Sequence, residues 1–97
     1  MKPVKEIHYV ITRELFNAGQ NDPKTERACM EAIKRFNAGD WGELVQDDKD
    51  ANDQDLKNRD GHVLGKYHTP AGDIYINLEF HDEEKTDYAC LMFCNEY

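Results

Sequence analysis

The period of apolar positions changes several times along this chain, and each change marks an element. Ile7, Tyr9 and Ile11 alternate with His8, Val10 and Thr12, the two-residue period of a strand with one apolar face. Arg13 to Phe16 then reads as a short helical piece and residues 17–21 as a loop. At Asp22 the period lengthens. Cys29, Ile33 and Phe36 recur at i, i+4 and i+7, with Ala28, Met30 and Ala32 widening the stripe, while Asp22 supplies an N-cap and Pro23 suits the first helical position. Glu31 and Arg35 stand four apart on the polar face and can pair. Gly39 is a helix stop.

A second helix is predicted from about Trp41 to about Asn58, ending near Asp60-Gly61. Asp40 is its expected N-cap and Glu43, three residues on, completes a capping-box spacing. Trp41, Leu44 and Val45 would then share one face, with Trp41 a core anchor rather than a ring for stacking a ligand. Aspartate is a weak helix former, so packing of the Trp41 end has to hold this helix. Three strands follow, over His62–His68, Asp73–Phe80 and Tyr88–Cys94. Between the first two, Thr69-Pro70-Ala71-Gly72 has turn chemistry, with Gly72 suited to a positive φ. The last run is continuously apolar, as in a central strand covered on both faces. The predicted fold is α+β with the order β-α-α-β-β-β, two helices packed on one face of a mostly antiparallel sheet. The 97 residues (1–97) make a single domain.

Charge changes this picture most. Twenty acids face twelve bases, a net charge of −8, and the mean hydropathy is −0.88. Such a chain does not offer the clustered lysine and arginine that direct nucleic-acid binding needs. Between Asp47 and Asp60 stand six aspartates against Lys49, Lys57 and Arg59. The expected partner-binding face gathers Asp47, Asp50, Asp53 and Asp55 with Asp82, Glu83 and Glu84, and regularly spaced carboxylates there can imitate phosphates to a basic groove. The plainer reading is a solvated face that keeps a small domain soluble. The modest basic concentration, Arg27, Lys34 and Arg35 on the first long helix, is an alternative docking face.

Catalytic chemistry finds little support. Asp48, Asp50 and Asn52 have the first three spacings of a calcium loop, but Asp53 and Arg59 stand where it needs glycine and glutamate. Cys90 and Cys94 on a strand would lie ~13 Å apart, too far to chelate one metal together. There is no glycine-rich phosphate loop, nucleophile elbow or activated Cys/His pair, so no catalytic residue, metal or cofactor is expected. Three cysteines cannot all pair within one chain, Met1–Glu6 leads straight into a strand-like run, and no apolar run reaches the ~20 residues of a membrane span. A cytoplasmic protein with reduced thiols is expected.

Five segments carry a resemblance: Ile11-Thr12-Arg13, Gly39-Asp40-Trp41-Gly42-Glu43-Leu44, Asp48-Lys49-Asp50-Ala51-Asn52, Leu56-Lys57 and Asn95-Glu96-Tyr97. On these the chain resembles a family of roughly hundred-residue proteins of bacterial plasmids, phages and conjugative elements, whose members often carry the label of a type I restriction enzyme subunit M. The family pattern usually continues Thr-Arg with Gly-Val, where this chain has Glu14-Leu15. The chain is too short for a methyltransferase and lacks the loop that would hold a methyl donor. The resemblance implies a mobile-element accessory protein, and acidity fits an inhibitor of a host nuclease of the anti-restriction or anti-CRISPR kind. Its partner would be a basic nucleic-acid-binding protein; the chain itself would be a monomer or homodimer. Asp48 and Asn52, one turn apart in the family's Asp-Lys-x-x-Asn pattern, are expected to be structural, capping or bonding to the loop at Arg13 or Gly39.

Overall fold

The computed structural model of the chain describes residues 6–81 and 86–97. Strand β1 (Glu6–Ile11) follows the first alternation, and the chain turns at Thr12 into helix α1 (Arg13–Asn21). This helix runs a full nine residues where the sequence indicated a short piece and a loop. Leu15 anchors it, completely buried, and Gly19 lets it run close to the next helix, since a Cβ there would touch the Glu26 Cα at 3.6 Å. Helix α2 (Pro23–Asn37) begins as its sequence predicts: the Asp22 carboxylate accepts the Lys24 amide at 3.1 Å and the hydroxyl of buried Thr25 at 2.9 Å. It ends at Gly39, whose φ of 80° closes the helix with a left-handed residue.

The second predicted helix is shorter than its sequence signal. Helix α3 spans Gln46–Asn58, and Trp41 lies five residues before it, outside any helix. Asp40 therefore caps no helix and the Asp40–Glu43 spacing forms no capping box. The backbone is held elsewhere: Lys66 N–H donates to Trp41 O at 3.1 Å and Glu43 N–H donates to Lys66 O at 2.8 Å. Two tertiary hydrogen bonds outweigh a local cap that sequence spacing alone would favour.

Strands β2 (Val63–Tyr67) and β3 (Ile74–Glu79) form the expected hairpin, with Gly72 at φ 133° in its turn. Strand β4 (Thr86–Phe93) runs antiparallel to β3 and parallel to β1, giving the sheet order β1-β4-β3-β2. A one-turn 3₁₀ helix at Cys94–Glu96 follows, so Cys94 lies outside the strand. The architecture is α+β, with three α-helices on a mixed four-stranded sheet among the described residues, α1 being added to the expected order. Leu15, Phe36, Trp41 and Leu56 from the helical side meet Val63, Tyr67, Ile74, Ile76, Leu78, Ala89 and Leu91 of the sheet. Each large apolar side chain so buried contributes roughly 1.5–3 kcal/mol.

β4 is central but not covered on both faces. Its burial alternates, and Tyr88 is 38% exposed. The helices cover the face of Ala89 and Leu91, and the opposite face carries side-chain contacts such as Tyr88 on His8 and His81, at ring distances of 5.6 and 4.9 Å.

A buried ion pair closes the far end of α3. Arg59 takes a left-handed conformation (φ 52°), which costs a non-glycine residue about 1–2 kcal/mol. Its guanidinium meets both carboxylate oxygens of fully buried Asp87 at 2.8 and 2.9 Å and lies over the Phe80 ring. Asp87 also accepts the His81 amide at 3.0 Å.

Candidate functional site

Edge strands expose backbone donors and acceptors, and a sheet with two edges has to do something with each. On the β2 edge the segment Gly39–Leu44 supplies the answer. Gly42 forms a parallel bridge to Lys66 with φ 79°, and any Cβ there would overlap the Lys66 carbonyl and stand 2.9 Å from the Tyr67 ring. Asp40 fixes the approach. Its Oδ1 accepts the Gly42 amide at 3.0 Å, its Oδ2 accepts Arg35 Nε–H at 2.7 Å, and its carbonyl accepts the Tyr67 hydroxyl at 2.7 Å. The Arg35 bond, helped by the Gly42 amide, holds the Asp40 carboxyl below its usual range. Burial pushes the Tyr67 phenol well above its usual range. Arg35 turns to Asp40 rather than to Glu31, and lies over the Tyr67 ring.

Asn52 completes this edge from α3. Its Nδ2 donates to Leu64 O at 2.8 Å and its Oδ1 accepts the Leu64 amide at 3.2 Å, so one side-chain amide takes the place of a neighbouring strand. Its partner is thus β2, not the loop at Arg13 or Gly39 that the sequence suggested. Trp41, 3% exposed, packs edge-on against Phe36 at 5.1 Å and donates its indole N–H to Asp53 at 2.8 Å. Gly39–Leu44 and Asn52 therefore share one task, covering β2.

The expected acidic face is divided by this arrangement. With about 100° between successive helix residues, Asp47 and Asp50 point away from the side of Asn52, while Asp53 and Asp55 flank α3 on opposite sides. Asp47, Asp48 and Asp50 are exposed, with Asp50 accepting the Gln46 side-chain amide at 2.9 Å. Asp53 is engaged by Trp41, and Asp55 is half-buried. Among the described residues no ion pair reaches any of these five carboxylates. Asp82, Glu83 and Glu84 lie outside the described residues. On the alternative basic face Arg27 and Lys34 are exposed, and Arg35 is occupied by Asp40.

Charge is segregated along the chain. Residues 6–37 hold five acids (Glu6, Glu14, Asp22, Glu26, Glu31) against five bases (Arg13, Lys24, Arg27, Lys34, Arg35). Residues 38–97 hold fifteen acids against five bases, an excess of ten. With Lys2 and Lys5 the first 37 residues carry a net charge of +2 and the remaining 60 carry −10, a division that summed composition hides.

The thiols are poorly suited to nucleophilic chemistry. Burial raises Cys29, Cys90 and Cys94 above the ordinary thiol range, with Glu26 adding to the effect at Cys29 and Glu96 and Glu79 at Cys90. Among the described residues no three histidine, cysteine or acidic side chains converge as a metal site would require, and no helix is long and apolar enough to cross a membrane.

The other edge, β1, borders an apolar groove of about 230 Å³ between α1 and α2, its rim formed by Val10, Ile11, Phe16 and Met30. These four are 39–59% exposed. The alternation of β1 predicts its inner face, but nothing local announces a groove built from three elements. No protein-family model, curated protein or solved structure matches this chain.

Proposed function

We propose that this is a non-enzymatic inhibitor from a mobile element, whose acidic half engages the basic nucleic-acid channel of a host-defence nuclease in the cytoplasm. An anti-restriction or anti-CRISPR role is the form the family resemblance favours. The observation that carries the reading is the segregated charge. From Asp47 to Asp55 the helix rises about 12 Å and holds five aspartates against Lys49, one net negative charge per ~3 Å of axis. A single DNA strand carries one per ~3.4 Å. The negative excess that would steer the chain toward a basic partner is carried by residues 38–97, while residues 1–37 carry +2.

The test is capture of nuclease complexes by the tagged protein from a host carrying restriction and CRISPR systems, washed at low and high salt. Retention of a nuclease subunit that high salt removes is the expected result. Asp47→Lys with Asp50→Lys should abolish it with the fold retained, because both side chains are exposed and, among the described residues, neither bonds beyond α3. Retention unaffected by that double reversal rejects the mechanism. Asp53 is left intact, since its reversal would also strip Trp41 of its hydrogen bond. The alternative reading, a regulatory or scaffold protein docking through the first long helix or a sheet edge, draws on the apolar rim beside β1. On that reading the aspartate reversals change nothing.

A further inference from the structure

A strand with one unpaired edge presents a row of amides and carbonyls at every second residue. In β1 that row is defined. The Thr12 amide donates to Leu91 O at 3.0 Å, so the even-numbered residues of the parallel pair bond to β4 and Ile7, Tyr9 and Ile11 direct their backbone groups outward. No described residue pairs with that side of β1. We infer that the β1 edge is the interface of a homodimer, two copies pairing β1 against β1 antiparallel about a two-fold axis through the Tyr9 pair.

Three observations select a second copy as the occupant. The first is register. Antiparallel pairing about Tyr9 sets Ile7 opposite the second copy's Ile11 and Tyr9 opposite Tyr9, so all three outward residues of each chain exchange both backbone hydrogen bonds. A two-fold interface requires such self-complementarity. The second is charge at the strand ends. Glu6 opens β1 and Arg13 follows it, both exposed and with no ion pair among the described residues. The same register sets Glu6 opposite the second copy's Thr12, one residue from its Arg13, twice per dimer. The third is the charge division of the chain. Residues 1–37, which contain β1, α1 and α2, hold five acids and seven bases, so two copies meet there with far less repulsion than contact between their acid-rich parts would bring.

Strand pairing alone is too small for a stable dimer, which covers about 800 Å² on each partner. The continuous sheet sets the helices of both copies on one face, where Phe16 and Met30, 50% and 59% exposed, stand beside the seam. Their burial supplies the apolar core that the six-residue strand lacks. This assignment is independent of what the acidic half binds.

Sedimentation equilibrium of the untagged full chain, in reducing buffer near physiological salt, tests it. The expected result is a reversible monomer–dimer equilibrium. Phe16→Glu with Met30→Glu should raise the dissociation constant at least about tenfold, with circular dichroism and melting of the monomer retained. Glu6→Arg and Arg13→Glu should each weaken the dimer, and the two together should restore it. A wild-type chain that stays monomeric to about 100 µM overturns the inference. So does a dimer indifferent to the Phe16/Met30 pair, and failure of the charge swap to restore association overturns the antiparallel register. A dimer broken instead by Asp47→Lys/Asp50→Lys would place the contact at the acidic half and likewise overturn it.

Discussion

The two edges of the sheet are treated in opposite ways. At β2 nearly every device for covering an edge is present: a parallel bridge through Gly42, backbone bonds to both sides of Lys66, and an asparagine amide on Leu64. At β1 the outward backbone of Ile7, Tyr9 and Ile11 meets no described residue, and apolar side chains border it instead of charges. Edge strands left open are normally short, charged or bulged to prevent association. β1 is short, but from Ile7 to Ile11 it carries no acid, lysine, arginine or proline, and its one acid, Glu6, sits at the end. The difference teaches that edge protection is a local decision. This chain commits a glycine, a tryptophan, two aspartates and an asparagine to one edge, while the other keeps the features of an interface.

Breaking the covered edge should have the largest effect. Gly42→Ala forces a side chain into a left-handed backbone and against the Lys66 carbonyl and Tyr67 ring. Strain and overpacking together should cost about 3 kcal/mol or more, read as a lower midpoint in urea denaturation. Asn52→Ala is gentler. It leaves the Leu64 amide and carbonyl without their partner, a loss of about 2 kcal/mol. It also converts β2 into a second open edge, so the variant should self-associate beyond the wild type in light scattering at equal concentration. An Asn52→Ala chain as stable and as monodisperse as wild type would remove the distinction between the edges.

How much of this was legible depends on whether the cause is local. The hairpin was legible because alternation at Ile74, Ile76 and Leu78 and the Thr69–Gly72 turn act within a few residues. The start of α2 was legible because Asp22, Pro23 and Thr25 cap it on the spot. The helical signal at Asp40–Glu43 was real but lost to Lys66, more than twenty residues away. The full length of α1 was hidden by Asn17, Gly19, Gln20 and Asn21, which read as loop until Gly19 is seen packing on Glu26. The parallel pairing of Glu6 with Thr86 leaves no local trace, nor does the Arg59–Asp87 pair. For the same reason the acidic helix was visible and its division was not. Only its packing shows that Asp53 holds Trp41 while Asp47 and Asp50 face solvent.

The smallest effect expected at the covered edge is electrostatic, and pH sharpens it. The Asp40 carboxyl sits below its ordinary range, chiefly through its bond from Arg35 and further through the Gly42 amide. Folding therefore favours its ionised form. Near pH 4 and below, the unfolded chain takes up a proton on Asp40 before the folded chain does. The contribution is fully present above the usual aspartate pKa and is lost as the pH falls through the lower folded value. Because this side chain is 46% exposed, solvent screens the pair and the contribution should be no more than roughly 0.2–1 kcal/mol. Asp40→Asn should retain an acceptor for the Gly42 amide and lose the ion pair. The stability gap between variant and wild type, measured by denaturation at matched protein concentration, should be present at neutral pH and close below pH 4. A surface variant of the open edge such as Val10→Thr should show no such convergence. If the Asp40→Asn gap persists undiminished into acid, the anchor at this edge is the shape of the Gly39–Leu44 segment and not the charge on Asp40.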